Sequence, residues 1–185
     1  MRNRLVFSSA VKRALKNGEP VVALESTILT HGLPRPINHR VAVNCERVVS
    51  EAGATAATIF LRDGKIHIGA EEDELEKLCS VDGANKVSRR DYAGTLARSG
   101  WGGTTISGTL IGAHLAGIPL MATGGLGGVH RGGEISLDVS ADLGEMSRTP
   151  VAVCCSGVKK ILDVGRTLEV LESKGMVRNP SDRLN

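Results

Sequence analysis

The sequence predicts an α/β protein, a three-layer α/β/α arrangement on a mainly parallel sheet with one antiparallel hairpin. Three observations predict it. Short apolar runs alternate along the chain with stretches of helical periodicity, the pattern of strands joined by crossover helices. The runs are apolar throughout instead of alternating with polar residues, so they suit strands buried on both faces. One Asp-Gly pair, Asp63-Gly64, separates two such runs and forms a hairpin turn.

The elements follow in order. Ser8 or Ser9 caps a first helix, whose Val11 and Leu15 share a face and whose stop is Gly18. Residues 21–24 make a buried strand closed by Glu25-Ser26-Thr27. Asn38 caps a second helix bearing Val41, Cys45, Val48, Val49 and Ala52, ended by Gly53. Strand 57–61 turns through Asp63-Gly64 into strand 65–69. An acidic helix over 71–79 and a helix over 91–98 come next. Residues 104–116 carry small side chains at close spacing, as a helix lying tightly on a sheet requires. Strand 119–123 runs into a glycine-rich loop. A helix over 140–146, a strand over 150–155 and a helix from about 158 complete the pattern. No repeat or interdomain linker interrupts it, so residues 1–176 read as one domain and 177–185 as a polar tail.

Composition excludes several functions. The 23 basic and 20 acidic residues leave a net charge of only +3, which gives no electrostatic case for nucleic-acid or polybasic membrane binding. Phe7, Phe60, Tyr92 and Trp101 are the complete aromatic set, too few to stack a single strand of bases. No apolar stretch reaches the ~20 residues that span a bilayer. Cys45, Cys79, Cys154 and Cys155 lack zinc-site spacing and read as reduced cytosolic thiols. The expected location is the cytoplasm; residues 1–18, basic and free of acids, leave a mitochondrial address as the alternative.

In open α/β sheets, ligands bind beyond the carboxyl ends of the strands. Three strand ends carry suggestive residues: Glu25, the loop beginning at Gly124, and Lys159. The loop has six glycines in residues 124–133 and ends on His130 and Arg131 within that span; converging N–H groups and two cationic side chains suit a phosphate. The competing reading is a tight loop that needs glycine for its backbone. Lys159, placed near a helix start and partly buried, is expected to be a nucleophilic amine, against the plainer reading of a solvated lysine. Burial is expected to keep the Glu25 carboxyl protonated as a general acid, against a capping or surface carboxylate. Asp138 and Asp142 bracket Ser140 and are a weak signal for a divalent ion.

Five blocks in order carry a further signal. They are Val21-Val-Ala-Leu-Glu-Ser-Thr-Ile28, Lys86-Val-Ser-Arg-Arg-Asp91, Ala122-Thr-Gly-Gly-Leu-Gly-Gly-Val-His-Arg-Gly132, Asp138-Val-Ser-Ala-Asp-Leu143 and Val153-Cys-Cys-Ser-Gly-Val-Lys-Lys-Ile-Leu-Asp163. Together the sequence resembles the indigoidine-synthase-A-like family of pseudouridine-5′-phosphate glycosidases, from about Ser8 to Gly175. The resemblance implies reversible hydrolysis of pseudouridine 5′-phosphate to uracil and ribose 5-phosphate, in pseudouridine catabolism. It implies a divalent metal, typically manganese (Mn2+), and a homotrimer. It places the nucleophile on Lys159, the proton donor on Glu25 and the metal ligand on Asp138. Substrate contacts fall on Lys86, Ile106, Ser140, Ala141 and Asp142. His130 and Arg131 join them as phosphate-side candidates from the residues alone. Because the scissile bond joins two carbons, a two-carboxylate glycosidase plan does not apply. Family chains run well past the position of Gly175, so the resemblance implies that this sequence holds their N-terminal part. The expectation for the chain expressed alone is poor solubility or no measurable activity. The competing class of function is a piece that only binds ligand or partner subunits.

Overall fold

The computed structural model describes residues 1–176, so the tail read over 177–185 lies outside the described residues. The strands are β1 (Leu5–Phe7), β2 (Val21–Leu24), β3 (Thr55–Arg62), β4 (Lys65–Ile68), β5 (Asn85–Val87), β6 (Trp101–Thr104), β7 (Leu120–Thr123), β8 (Val129–His130), β9 (Ala152–Cys155) and β10 (Leu162–Asp163). The helices are α1 (Ser9–Asn17), α2 (Ile37–Glu51), α3 (Glu72–Ser80), α4 (Arg89–Leu96), α5 (Ile106–Ala116), α6 (Gly133–Ser136), α7 (Ala141–Met146) and α8 (Val164–Ser173). The main sheet runs β1-β4-β3-β2-β7-β9, with β6 on β3 and β5 on β6. Five of its pairings are parallel, β1–β4, β2–β3, β2–β7, β5–β6 and β7–β9.

The expected hairpin is present: β3 pairs antiparallel with β4 across Asp63 and Gly64, both at positive φ. A second antiparallel pairing, β3 with β6, was not legible, because Trp101-Gly-Gly-Thr104 has no apolar run to mark a strand. Alternation along β3 divides the core into two layers. Ala57, Ile59 and Leu61 share one core cluster with residues of α1, α4, α5 and α7, while Phe60 lies in the other with Leu29, Ala42, Leu75 and Leu78 of the α2 and α3 side. The α5 glycines explain the close spacing read there. A Cβ on Gly108 would come within 2.4 Å of the Val87 carbonyl, and one on Gly112 within 2.8 Å of Ile59.

Two helix starts differ from expectation. Ser8 does cap α1, accepting the Val11 N–H, and Gly18 ends it in the left-handed region. Asn38, however, lies inside the first turn of α2, with Nδ2 donating to the Leu29 and Cys79 carbonyls at 2.8 and 2.7 Å. Its amide ties loop, α2 and α3 together, a use that outcompetes capping in a buried position. The helix expected from about 158 begins only at Val164, capped by Asp163. Residues 156–159 instead run alongside the glycine-rich loop, with Leu126 N–H donating to Gly157 and Lys159 N–H to Leu126.

The feature that sets up the site is the meeting of β2 and β6 along β3. β2 pairs with residues 55–58 and β6 with residues 60–62, which leaves the Ile59 carbonyl between them. Two buried hydroxyls satisfy it, Ser26 Oγ and Thr104 Oγ1, each donating at 2.6 Å. Ser26 Oγ also accepts the Thr104 N–H at 2.9 Å. The strand end carrying Glu25 and the start of α5 are thereby bolted to one atom.

Candidate functional site

Register alone brings three strand ends to one sheet edge. Leu24 of β2 lies opposite Ala122 of β7, and Thr123 of β7 opposite Cys155 of β9, all parallel. Glu25, the glycine-rich loop and Lys159 therefore emerge side by side. Beyond them lies a cavity of about 540 Å³, in the range of small-ligand sites. Its walls include Glu25, Lys86, Ile106, His130, Asp138 and Lys159, together with Ser140, Ala141 and Asp142. Nine of the ten candidate residues thus border one space. The tenth, Arg131, is exposed and does not line it.

Glu25 sits behind Ser26, whose anchored hydroxyl leaves the preceding side chain directed to the cavity. The Thr123 hydroxyl donates to Glu25 Oε1 at 2.5 Å. Burial pushes the carboxyl above its ordinary value and outweighs Thr123, Lys159 and Lys86, which pull it down; Asp142 adds to the rise. That is the direction expected from the sequence.

Lys159 corrects an expectation. It is an exposed residue outside any helix or strand, neither partly buried nor at a helix start, since α8 begins five residues later. Its stem lies over Gly125, where an added Cβ would come within 3.2 Å of Lys159 Cγ. The glycine-rich loop differs from the competing reading of a tight loop that needs glycine for its backbone. Gly124, Gly125, Gly127 and Gly128 all have ordinary φ, and only Gly132 in the loop is left-handed. Three of these glycines give close approach: Gly125 to Lys159, Gly127 to Ser140 and Asp142, and Gly128 to Thr167. Space for neighbouring side chains, not backbone conformation, is what the loop requires.

The far wall is built from helix starts. Ser88 and Asp91 form a capping box on α4, and Thr105 caps α5 through the Gly108 N–H. Ser88 Oγ and Thr105 Oγ1 are 2.9 Å apart. All three line the cavity, as do Thr27 and Arg90. Sequence reading missed them, although Ser-x-x-Asp before a helix was a readable cap signal. Asp142, in the first turn of α7, accepts the Ser107 N–H at 3.0 Å. The start of α5 presents Ile106 and a helix-dipole field favourable to an anion.

Asp138 is exposed, with its carboxylate 3.8 Å from His130 Nδ1. Among the described residues, no three His, Cys, Asp or Glu side chains come together as a metal cage. One carboxylate beside one imidazole does not build a metal site unaided.

The model for the family described as indigoidine synthase A like protein matches residues 10–179. Proteins named pseudouridine-5′-phosphate glycosidase are similar over 172 residues. That of Roseobacter denitrificans is 54% identical over 93% of this chain and 56% of its own length. That of Mycoplasmopsis agalactiae is 52% identical over 93% and 57%. The chain therefore spans little more than half the length of these relatives. Among solved structures, a prealnumycin C-glycosynthase in complex with ribulose 5-phosphate is 41% identical with a TM-score of 0.85, over 92% of this chain and 55% of that one. An indigoidine synthase A-like protein of Thermotoga maritima is 36% identical with a TM-score of 0.81, over the same shares. With sequence match and fold in agreement over nearly all of its length, the chain belongs to the indigoidine synthase A like family.

Proposed function

We propose that this chain supplies the pentose-phosphate half of a pseudouridine-5′-phosphate glycosidase site. The observation that carries the reading is the convergence of Glu25 and Lys159 on one cavity, from strand ends two positions apart in the sheet. The names of its relatives and the ribulose 5-phosphate held by a structural neighbour support the substrate class.

Lys86 and the start of α5 at Ile106 hold the 5′-phosphate, with His130 beside them. Arg131, expected on the phosphate side, is not given a contact. Ser140, Ala141 and Asp142 face the ribose. Lys159 Nζ bonds to C1′ as the C1′–O4′ bond breaks and O4′ takes a proton. Uracil C5 then takes a proton. The C1′–C5 electrons return to the pyrimidine ring while the lysine nitrogen forms the iminium. Water hydrolyses that iminium, releasing ribose 5-phosphate and the free amine. Glu25, whose carboxyl burial pushes above its ordinary value, is the proton donor of this sequence. Manganese is a proposed assay component with Asp138 as its protein contact, and a homotrimer is the proposed assembly.

The test is uracil release from pseudouridine 5′-phosphate with manganese present, followed by chromatography. In a full-length context, release is expected from the parent protein and absent from Lys159→Ala, whereas the chain expressed alone is expected to show none. Equal release from both would overturn the assignment of the nucleophile, and no release from the parent would favour the binding-only alternative.

A further inference from the structure

Glu145 is the least expected residue in this fold. It is a carboxylate 1% exposed on α7, one turn after Asp142, and it does not line the cavity. Arg89, the first residue of α4, grips it with both Nε and Nη2, the latter 2.6 Å from Oε1. The Thr149 hydroxyl also donates to Oε1. Burial pushes the Glu145 carboxyl up, but Arg89 and Thr149, with a smaller pull from the Arg148 charge, outweigh it and hold it below its ordinary value. Tyr92, one turn along α4, keeps a buried hydroxyl with no hydrogen-bond partner among the described residues and supplies no counter-charge.

The backbone closes the circuit. The Arg89 N–H donates to Ser107 Oγ at 3.2 Å, the Ser107 N–H donates to Asp142 Oδ1 at 3.0 Å, and α7 carries the chain from Asp142 to Glu145. Side chain and main chain of Arg89 thus complete a ring through three elements. Each element puts a neighbour of the ring on the cavity wall: Ser88 and Arg90, Ile106, and Asp142 itself.

We propose that Arg89 and Glu145 are positioning residues, whose ion pair locks α7 against the starts of α4 and α5 so that Asp142 and Ile106 hold their places at the site. The bidentate fork fixes angle as well as distance, which a single contact would not. The functional consequence rests on the pentose-phosphate reading; the mechanical one does not.

The test combines amide hydrogen exchange at Ser107 with ribose 5-phosphate titration, on the full chain. Replacing both partners, Arg89→Met with Glu145→Met, removes the buried charge together with its counter-ion and favours retention of the fold. Exchange at Ser107 is expected to rise ~tenfold or more while Ala113, inside α5, is unchanged. Affinity for ribose 5-phosphate is expected to weaken ~tenfold. Arg89→Lys, which keeps the charge but not the fork, should give smaller changes in the same direction. A folded double variant with parental Ser107 exchange would overturn the proposal. Should the double variant not fold, parental Ser107 exchange in Arg89→Lys would overturn it equally. If the parent does not bind ribose 5-phosphate, the functional reading fails, and the exchange result still decides the clamp.

Discussion

Glu25 and Lys159 meet at the cavity with unlike environments, and the difference fits the roles proposed for them. The carboxyl is shielded just past the end of β2 beside Thr123, and Lys159 is exposed on the segment that follows β9. For Glu25 the folded-state value lies above the unfolded one, because burial disfavours the charged form. Folding therefore takes up a proton at this site as pH passes from the ordinary carboxylate range to the raised value, so stability falls with rising pH through that window. Glu25→Gln is expected to melt no lower than the parent at pH 7 and to flatten that fall, as scanning calorimetry across pH would measure. The same substitution should cost ~10²–10⁴-fold in uracil release, the usual range for a lost general acid. An active Glu25→Gln protein would move the acid role elsewhere. The direction of this carboxyl's shift was readable from its place after Val21-Val-Ala-Leu24; the exposure of Lys159 was not, because it depends on where α8 starts.

At the scale of elements, the site depends on joints more than on any one strand. Ser26 and Thr104 join β2, β3 and β6 at the Ile59 carbonyl, and Thr27 adds a bond to the Gly103 carbonyl at 3.1 Å. Ser26→Ala removes the acceptor of a buried Thr104 N–H, and a buried unpaired group costs ~1–3 kcal/mol. Urea unfolding should register that loss, together with weaker ribose 5-phosphate binding as Glu25 loses its fixed neighbour. A change within about 0.5 kcal/mol, the ordinary effect of a surface substitution, would show the joint to be incidental. These joints were largely invisible in the sequence. Apolar runs revealed β2, β3, β4, β7 and β9, whereas β5 and β6 are short and polar or glycine-rich. A strand held by its neighbours' hydroxyls needs no hydrophobic signature of its own. Asn38 shows the converse, a good capping residue drawn inside α2 by two buried carbonyls.

At the scale of the whole molecule, a buried layer on each side of β3 carries a site at the edge where β2, β7 and β9 end. The layer order followed from alternating apolar and helical segments, and the location of the site from the rule that ligands gather at carboxyl strand ends. Its opposite wall did not follow, since it arises where the starts of α4, α5 and α7 converge from distant parts of the chain. The glycine-rich loop was legible as a site element but not as to cause: its glycines admit Lys159, Ser140, Asp142 and Thr167 at close range. The central claim is that this cavity presents Lys159 to C1′ of a pentose 5-phosphate. Ribose 5-phosphate in its open aldehyde form should condense with that amine, losing water to form an imine that borohydride reduces to a stable secondary amine. Peptide mass spectrometry after such trapping is the most direct test. The account predicts one adduct, on Lys159, lost in Lys159→Ala; an unmodified Lys159 or an adduct on another lysine in its place would contradict it.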